Sequence, residues 1–176
     1  MHLHWLLFFK SSLPSGSVPA DWRDAHITPI YKKGEQYNPA NYRPVSLTSV
    51  VCKLLEHIIV SAVMRYFEEN SILTDNQHGF RRGRSCETQL LELVEELTTN
   101  LESGKQTDVR IMDFSKSFDK VNHALLLHKL QRYGVQGTTN TWIANFLNNR
   151  RQPVVVSGAS SHFVNVMSEV PEGSVL

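Results

Sequence analysis

Asp113 is the residue in this sequence whose type and position most suggest chemistry. It lies near the end of a short run at 108–114, where the pattern predicts a strand that ends in a carboxylate. A buried carboxylate without a partner is costly, and a divalent cation would remove that cost, since Mg²⁺ prefers carboxylate oxygens. The same position also fits an aspartate that only caps the next turn. Asp119 has an equally simple explanation as a helix N-cap or turn residue.

A basic loop at 76–85 is the second candidate site. It contains no acidic residue, its two glycines are Gly79 and Gly83, and its basic side chains are His78, Arg81, Arg82 and Arg84. Guanidinium groups suit phosphate oxygens, and glycines allow a backbone to approach a ligand closely. This pattern favours binding of phosphate or nucleic acid, although an ordinary solvated loop can also carry three arginines.

Three further cations, Lys32, Lys33 and Arg43, are weaker candidates. Each one alone is most often a surface charge, and they gain a common function only if the fold brings them to one site. The formal net charge of the chain is +1, so the average charge gives no indication of nucleic-acid binding. Local clustering of cations has to carry that prediction.

The hydrophobic pattern predicts the elements that must position these residues. A β-prone run at 25–31 that contains Pro29 predicts an edge strand. Apolar residues at three-and-four spacing over 47–67 predict a long helix, and Ser85 is predicted to cap a second one, with Glu87 in its first turn. The remaining predicted elements are a strand at 108–114, helices at 125–133 and 141–147, and a hairpin formed by 153–157 and 162–167. Helices and strands mix without strict alternation, which predicts an α+β fold.

Length and composition exclude several classes of protein. The 176 residues, 41% hydrophobic and 20% charged, are typical of one globular domain. Cys52 and Cys86 form no C-x-x-C motif, which excludes a zinc knuckle or a disulfide framework and fits a reducing compartment. The apolar N-terminus lacks a basic leader and a cleavage site, so it predicts a helix rather than a signal peptide. No apolar run is long enough to span a membrane. We therefore expect an intracellular protein, in cytoplasm or nucleus, without a membrane partner.

Five blocks of the sequence together resemble the reverse transcriptase domain of non-LTR retrotransposons of the jockey and CR1-like kind. In chain order they are VPADWR at 18–23, TPIYKKG at 28–34, NYRPVSL at 41–47, QHGFRRGRS at 77–85 and DFSKSFD at 113–119. Any one block is weak evidence, but five in register are highly specific. The resemblance implies a right-hand polymerase, with a fingers-like region at about 1–107 and part of a palm at about 108–176.

The resemblance also implies roles for single residues. Asp113 matches the first catalytic carboxylate, which would bind two Mg²⁺ ions (Mn²⁺ is an alternative) in an intact domain, helped by the backbone carbonyl of Phe114. Phe118 matches the bulky side chain that lies under the incoming sugar and rejects a ribose 2′-OH. Asp119 matches a common family residue that is not a metal ligand. The implied reaction is attack of a primer 3′-OH on the α-phosphate of a dNTP between two metals roughly 3.5–4 Å apart.

The cations acquire partners through the same resemblance. Lys32, Lys33 and Arg43 fall where the family's fingers neutralise the triphosphate or the template phosphates. The loop arginines, which would lie against the template strand, are Arg81, Arg82 and Arg84. The partners expected are an RNA template, a DNA primer and dNTPs, with no stable protein partner.

The sequence departs from the family pattern near its C-terminus. Glu172 stands where relatives have a glutamine that donates a hydrogen bond near the nucleotide, and Glu169 replaces a glycine. The paired-aspartate hairpin of the family is expected beyond Leu176, so the palm is expected to be incomplete and this chain alone inactive as a polymerase. Two alternatives are a remnant that only binds RNA or primer–template, and a translated pseudogene fragment without a biochemical role.

Overall fold

The computed structural model describes residues 2–114, 116–166, 168, 170–171 and 173–175, with side chains from residue 9 onward. The chain forms two compact units. The first unit comprises Met1–Ala62 and Lys116–Leu176, and the second unit is Val63–Ser115. Both helices and strands are present, as the predicted α+β class requires. The boundaries between fingers and palm stay a prediction.

The first unit is built around one helix, α6, whose apolar face is buried. Its helices are α1 (His2–Ser15), α2 (Ala20–Arg23), the part of α3 (Val50–Glu69) that precedes Val63, α5 (His123–Arg132) and α6 (Gly137–Leu147). Helices α1, α2 and α5 all contact α6. The stacked rings of Trp142 and Phe146 lie 5.4 Å apart between centroids in this core, and the Trp142 indole N–H donates to the buried Ser12 hydroxyl at 2.9 Å. The predicted N-terminal helix is therefore confirmed, and so are the helices that the apolar spacing indicated.

A small sheet borders this core. Strand β1 (His26–Tyr31) pairs antiparallel with β2 (Tyr42–Leu47). On its other side the Ile27 N–H donates to the Pro153 carbonyl at 2.9 Å. The edge-strand prediction is thus wrong for the start of β1, which has a neighbour on both sides. Pro29 is tolerated because its nitrogen, like that of Ile27 two residues earlier, points away from β2, so no ladder hydrogen bond to β2 is lost.

The predicted hairpin near the C-terminus is present, but its second arm begins at Ala159 and not at residue 162, the start expected from the sequence. Strands β3 (Arg151–Gln152) and β6 (Val164–Asn165) form its outer pair, and β4 (Val155–Val156) and β5 (Ala159–Ser160) form its inner pair. The two loop residues, Ser157 and Gly158, both have positive φ, at 50° and 83°. That combination is the type I′ turn, whose twist matches that of two antiparallel strands.

The second unit consists of the end of α3, a long loop, helix α4 (Cys86–Glu102) and an extended C-terminal segment. Ser85 caps α4 as predicted. Its hydroxyl accepts the Thr88 N–H at 3.3 Å, and the Thr88 hydroxyl accepts the Ser85 N–H at 2.9 Å, which is a capping box.

The strand predicted at 108–114 is wrong. Residues 105–114 are exposed and form neither helix nor strand, and no strand among the described residues pairs with them. The side chain of Ile111 illustrates this, because it is 94% exposed. A strand needs a neighbour for its N–H and C=O groups, and an apolar sequence pattern cannot supply one.

Candidate functional site

The β1–β2 hairpin of the first unit presents three of the predicted cations. Lys32 and Lys33 follow β1 directly, and the Lys32 N–H donates to the Asn41 carbonyl at 2.9 Å. Arg43, two residues after Asn41, lies on β2 opposite Ile30. All three side chains are exposed, and they lie at the same end of the hairpin. The structure therefore brings Lys32, Lys33 and Arg43 together.

The turn that carries the lysines has a fixed conformation. The Tyr31 hydroxyl donates to the Gly34 carbonyl at 2.5 Å, and the Asn41 amide donates to the Glu35 carbonyl at 2.9 Å. Gly34 has a φ of 91°, and a Cβ there would lie 2.5 Å from the Asn41 side chain. Only glycine fits this position without a shift of Asn41. The hydrogen bonds thus hold the backbone beneath Lys32 and Lys33 in one shape.

Phe118 lies in a turn that contacts the C-terminal segment of the first unit. The Val170 N–H donates to the Phe118 carbonyl at 3.2 Å, and the Ser168 hydroxyl donates to the Asp119 carbonyl at 3.4 Å. Asp119 is a turn residue, as one of its explanations required, while the helix that follows is capped by Asn122. The Phe118 ring is exposed.

The same C-terminal segment contacts β2. Gly173 has a φ of 112°, and a Cβ there would lie 2.9 Å from the Ser46 carbonyl oxygen. This close approach of two backbones requires glycine. Val170 thereby contacts the Phe118 turn, and Gly173 contacts the strand that carries Arg43. Glu169 and Glu172, where the sequence departs from the family pattern, lie outside the described residues.

Glu56 is a buried acidic residue of the first unit that the sequence analysis missed. It is fully buried on α3, and its carboxylate accepts the Val175 N–H at 2.8 Å. Its position in the sequence could have revealed it, because it shares one face of α3 with Cys52, Leu55 and Ile59, which are also buried. An acidic residue on the apolar face of a helix predicts a buried partner.

Cys52 lies one helical turn before Glu56 and shares its buried environment. Burial raises the pKa of the Cys52 thiol, and the negative charge of Glu56 raises it further. A thiol held protonated in this way is a poor nucleophile. We therefore assign Cys52 to the core of the first unit.

The basic loop of the second unit turns one of its three arginines firmly inward. Arg81 donates to both carboxylate oxygens of Glu68, at 2.8 Å and 2.5 Å, and to the Thr74 carbonyl at 2.7 Å. Only 8% of its side chain is accessible to solvent. The hydrogen bond from Arg81 lowers the pKa of Glu68, which keeps this pair charged.

Two more basic residues of the loop have internal partners. Arg84 donates to the carbonyl oxygen of Asp75 and, at 3.1 Å, to its carboxylate. The buried His78 ring lies 2.8 Å from the Thr88 hydroxyl and 2.9 Å from the Glu92 carboxylate. Arg82 differs from these residues, because it is exposed and has no ion pair within the described part of the chain. The predicted contact of Arg81, Arg82 and Arg84 with a template stays a prediction.

Comparison with known proteins gives this geometry a family. Residues 30–176 match the family described as reverse transcriptase (RNA-dependent DNA polymerase). The chain belongs to the reverse transcriptase family. It is a partial reverse transcriptase domain of the non-LTR retrotransposon kind.

The curated relatives of this reverse transcriptase domain agree with that assignment. The RNA-directed DNA polymerase from mobile element jockey of Drosophila funebris is 30% identical over 99% of this chain. The corresponding jockey protein of Drosophila melanogaster is 29% identical over 97% of the chain. The Pol polyprotein from the type-1 retrotransposable element R2 of Popillia japonica is 28% identical over 96%. The aligned region is 19% of each jockey protein and 23% of the R2 protein, so the chain spans about a fifth of their length.

Reverse transcriptases generally use a divalent metal such as Mg²⁺, and the candidate ligands in this domain are Asp113 and the Phe114 carbonyl. Asp113 and Phe114 lie at the exposed end of the second unit. Among the described residues, no three side chains of His, Cys, Asp or Glu converge on a point where they could hold a metal ion. The described residues therefore do not form a metal site by themselves.

Among the described helices, none has the length and apolar character that a membrane crossing requires.

Proposed function

We propose that this chain supplies the part of a reverse transcriptase that holds the incoming dNTP and the RNA template during addition of a dNTP to a DNA primer. One observation carries the proposal. Strand β2 and the Phe118 turn are far apart in sequence, yet within the first unit both contact residues near the C-terminus, Gly173 beside Ser46 of β2 and Val170 at the Phe118 carbonyl. These are the segments to which the family resemblance assigns the nucleotide.

The proposed roles follow from charge and exposure. Lys32, Lys33 and Arg43 neutralise the triphosphate or the template phosphates, because they are exposed cations on one end of a hairpin whose turn has a fixed shape. Phe118 selects deoxynucleotides by filling the space of a ribose 2′-OH. Glu172 stands near the triphosphate in this proposal, where an ionised carboxylate cannot donate a hydrogen bond and adds a negative charge.

Asp113 and the Phe114 carbonyl are proposed as ligands of the polymerase metal. A two-metal site needs further carboxylates, because one aspartate would not hold both of the metal ions that stabilise the attacking and the leaving oxygen. We therefore expect no primer extension from this chain alone. A purified sample that extends a primer with Mg²⁺ and dNTPs, and loses that activity with Asp113→Ala, would contradict this expectation.

A nucleotide titration tests the proposed site. We expect a fluorescent dATP analogue to bind the full chain and to lose most of its affinity in the triple variant Lys32→Ala/Lys33→Ala/Arg43→Ala. Phe118→Ala should instead narrow the difference in affinity between the deoxyribose and ribose forms of the analogue. The control variant is Lys10→Ala, an exposed cation on α1. Equal affinity of the triple variant and the control would overturn the nucleotide site.

The alternative of a module that binds nucleic acid without catalysis is favoured by one observation, the exposed Arg82. Binding of labelled RNA by a chain that does not bind the dATP analogue would support this alternative. Its affinity should fall steeply with salt, since phosphate contacts release counterions.

A further inference from the structure

Phe80, at the tip of the basic loop, has an unusual conformation. Its side chain is 88% exposed, and its backbone has a φ of 60° in the left-handed region. Bulky residues other than glycine are rare there, and a large exposed aromatic ring is unfavourable in water. Such an outlier persists where the surrounding structure imposes it, and it often marks a binding site.

The surrounding loop does impose it. His78 is anchored to Thr88 and Glu92 on one side of Phe80, and Arg81 is anchored to Glu68 and Thr74 on the other. The side chains therefore alternate in direction, with His78 and Arg81 inward and Phe80 and Arg82 outward. The ring is presented on a loop that is already ordered, so a ligand would not have to order it on binding.

Within its unit, Phe80 makes no ring contact with another aromatic residue among those described. Asparagine or glycine would adopt the same φ with less strain, so the local fold does not require an aromatic residue here. The exposed neighbour Arg82 adds a cation beside the ring. An exposed aromatic face next to an unpaired guanidinium group is the combination that binds single-stranded nucleic acid, where bases stack on the ring and the cation contacts a phosphate.

We propose that Phe80 stacks on an unpaired base of the RNA strand while Arg82 contacts a neighbouring phosphate. This inference rests on the proposed function, because it specifies how the chain holds its template. Stacking on an aromatic ring tolerates every base, so the contact gives affinity without sequence preference. Unpaired bases are also the usual targets in RNA, because duplex RNA offers side chains little access.

The test compares two labelled strands of equal length, a single-stranded RNA of mixed sequence and an abasic strand with the same phosphates. Binding of the full chain to each is measured by fluorescence anisotropy. We expect Phe80→Leu to weaken RNA binding about tenfold, since loss of one stacked base has an effect of roughly this size. Binding to the abasic strand should not change. Phe80→Trp should keep RNA affinity, and the control Leu101→Ala, which removes an exposed apolar side chain from α4, should leave both strands unaffected.

The other outcomes separate the inference from the proposed function. If the wild-type chain binds RNA with a steep salt dependence and Phe80→Leu binds equally well, stacking is wrong while template binding stands. If Phe80→Leu weakens both strands equally, the ring has another role and the inference is overturned. If the wild-type chain binds neither strand at low salt, both proposals fail. Phe80→Asn is a second variant that should melt at the same or a higher temperature and still lose RNA affinity.

Discussion

Each of the two units of this chain is stabilised internally by a different kind of interaction. All the buried hydrophobic residues found in the described part of the chain lie in the first unit, among them Trp22, Leu55, Trp142 and Phe146. In the described part of the second unit His78 is the only buried residue, while Leu90, Leu91 and Val94 of α4 are exposed. The second unit relies instead on ion pairs and hydrogen bonds, such as those between Arg81 and Glu68.

This difference indicates how each candidate site responds to change. Apolar burial is not screened by salt, and a single apolar core unfolds cooperatively, so damage to the first unit should unfold it as a whole. Ion pairs with at least one accessible partner, such as Arg81–Glu68 and Arg84–Asp75, are partly screened by salt and contribute less to global stability than a buried apolar core. Damage to the second unit should therefore be local, and it should alter the basic loop more than the melting temperature.

The largest effect should come from Phe146→Ala. This substitution leaves a cavity beside Trp142 and removes the ring over which the Arg150 guanidinium lies at 4.7 Å. We expect a loss of about 3–5 kcal/mol in the free energy of unfolding, measured by urea denaturation. Leu101→Ala on the exposed face of α4 is the matched control, with an expected change within about 0.5 kcal/mol. Similar losses in the two variants would mean that the contrast between the units is wrong.

A smaller effect is expected from Glu56→Ala, which leaves the Val175 N–H without its acceptor. An unsatisfied buried donor costs about 1–3 kcal/mol, so urea denaturation should detect the change. Hydrogen exchange at the Val175 amide should also accelerate. Glu95→Ala, at an exposed position of α4, is the control. Unchanged exchange at Val175 would show that Glu56 does not hold the C-terminal segment.

Acid should loosen the basic loop before it affects the first unit. The pKa of Glu68 is lowered by the hydrogen bond from Arg81, and that of Glu87 is lowered by the hydrogen bond from Ser85. A carboxylate with a lowered pKa stabilises the folded state above its ordinary pKa of about 4.5, and this contribution is lost as the pH falls through the lowered value. NMR relaxation of the amides at 77–85 should therefore show increasing mobility on acidification. In the variant Glu68→Gln this loop should be mobile already at neutral pH. A rigid loop in that variant would contradict the role of the ion pair.

The smallest effect concerns the two cysteines, whose reactivity can be compared in the wild-type protein without any substitution. Cys86 is exposed at the start of α4, whereas Cys52 is buried with a raised thiol pKa. A thiol reagent at neutral pH should modify Cys86 quickly and Cys52 only after denaturation. Rapid modification of Cys52 in the native protein would show that the core of the first unit opens easily.

Sequence patterns predicted those elements whose determinants are local. Helix α3 follows from its apolar spacing, and the start of α4 follows from Ser85 and the residues directly after it. The strand predicted at 108–114 is wrong because pairing depends on a partner, which no local pattern specifies. The inward direction of Arg81 was equally invisible, since Glu68 lies thirteen residues away along the chain. Exposed Arg82 and paired Arg81 are chemically identical, and only their partners distinguish them.

The central claim is that exposed cations at particular positions, rather than net charge, bind the nucleic acid. The most direct measurement is the salt dependence of RNA affinity in two variants with the same change in charge. The first replaces Lys32, Lys33, Arg43 and Arg82 by alanine, and the second replaces the exposed residues Lys10, Lys105, Arg110 and Lys120. We predict that the slope of log affinity against log salt falls by roughly 0.7 per lost phosphate contact in the first variant and stays near the wild-type value in the second. Equal slopes in the two variants would contradict the account.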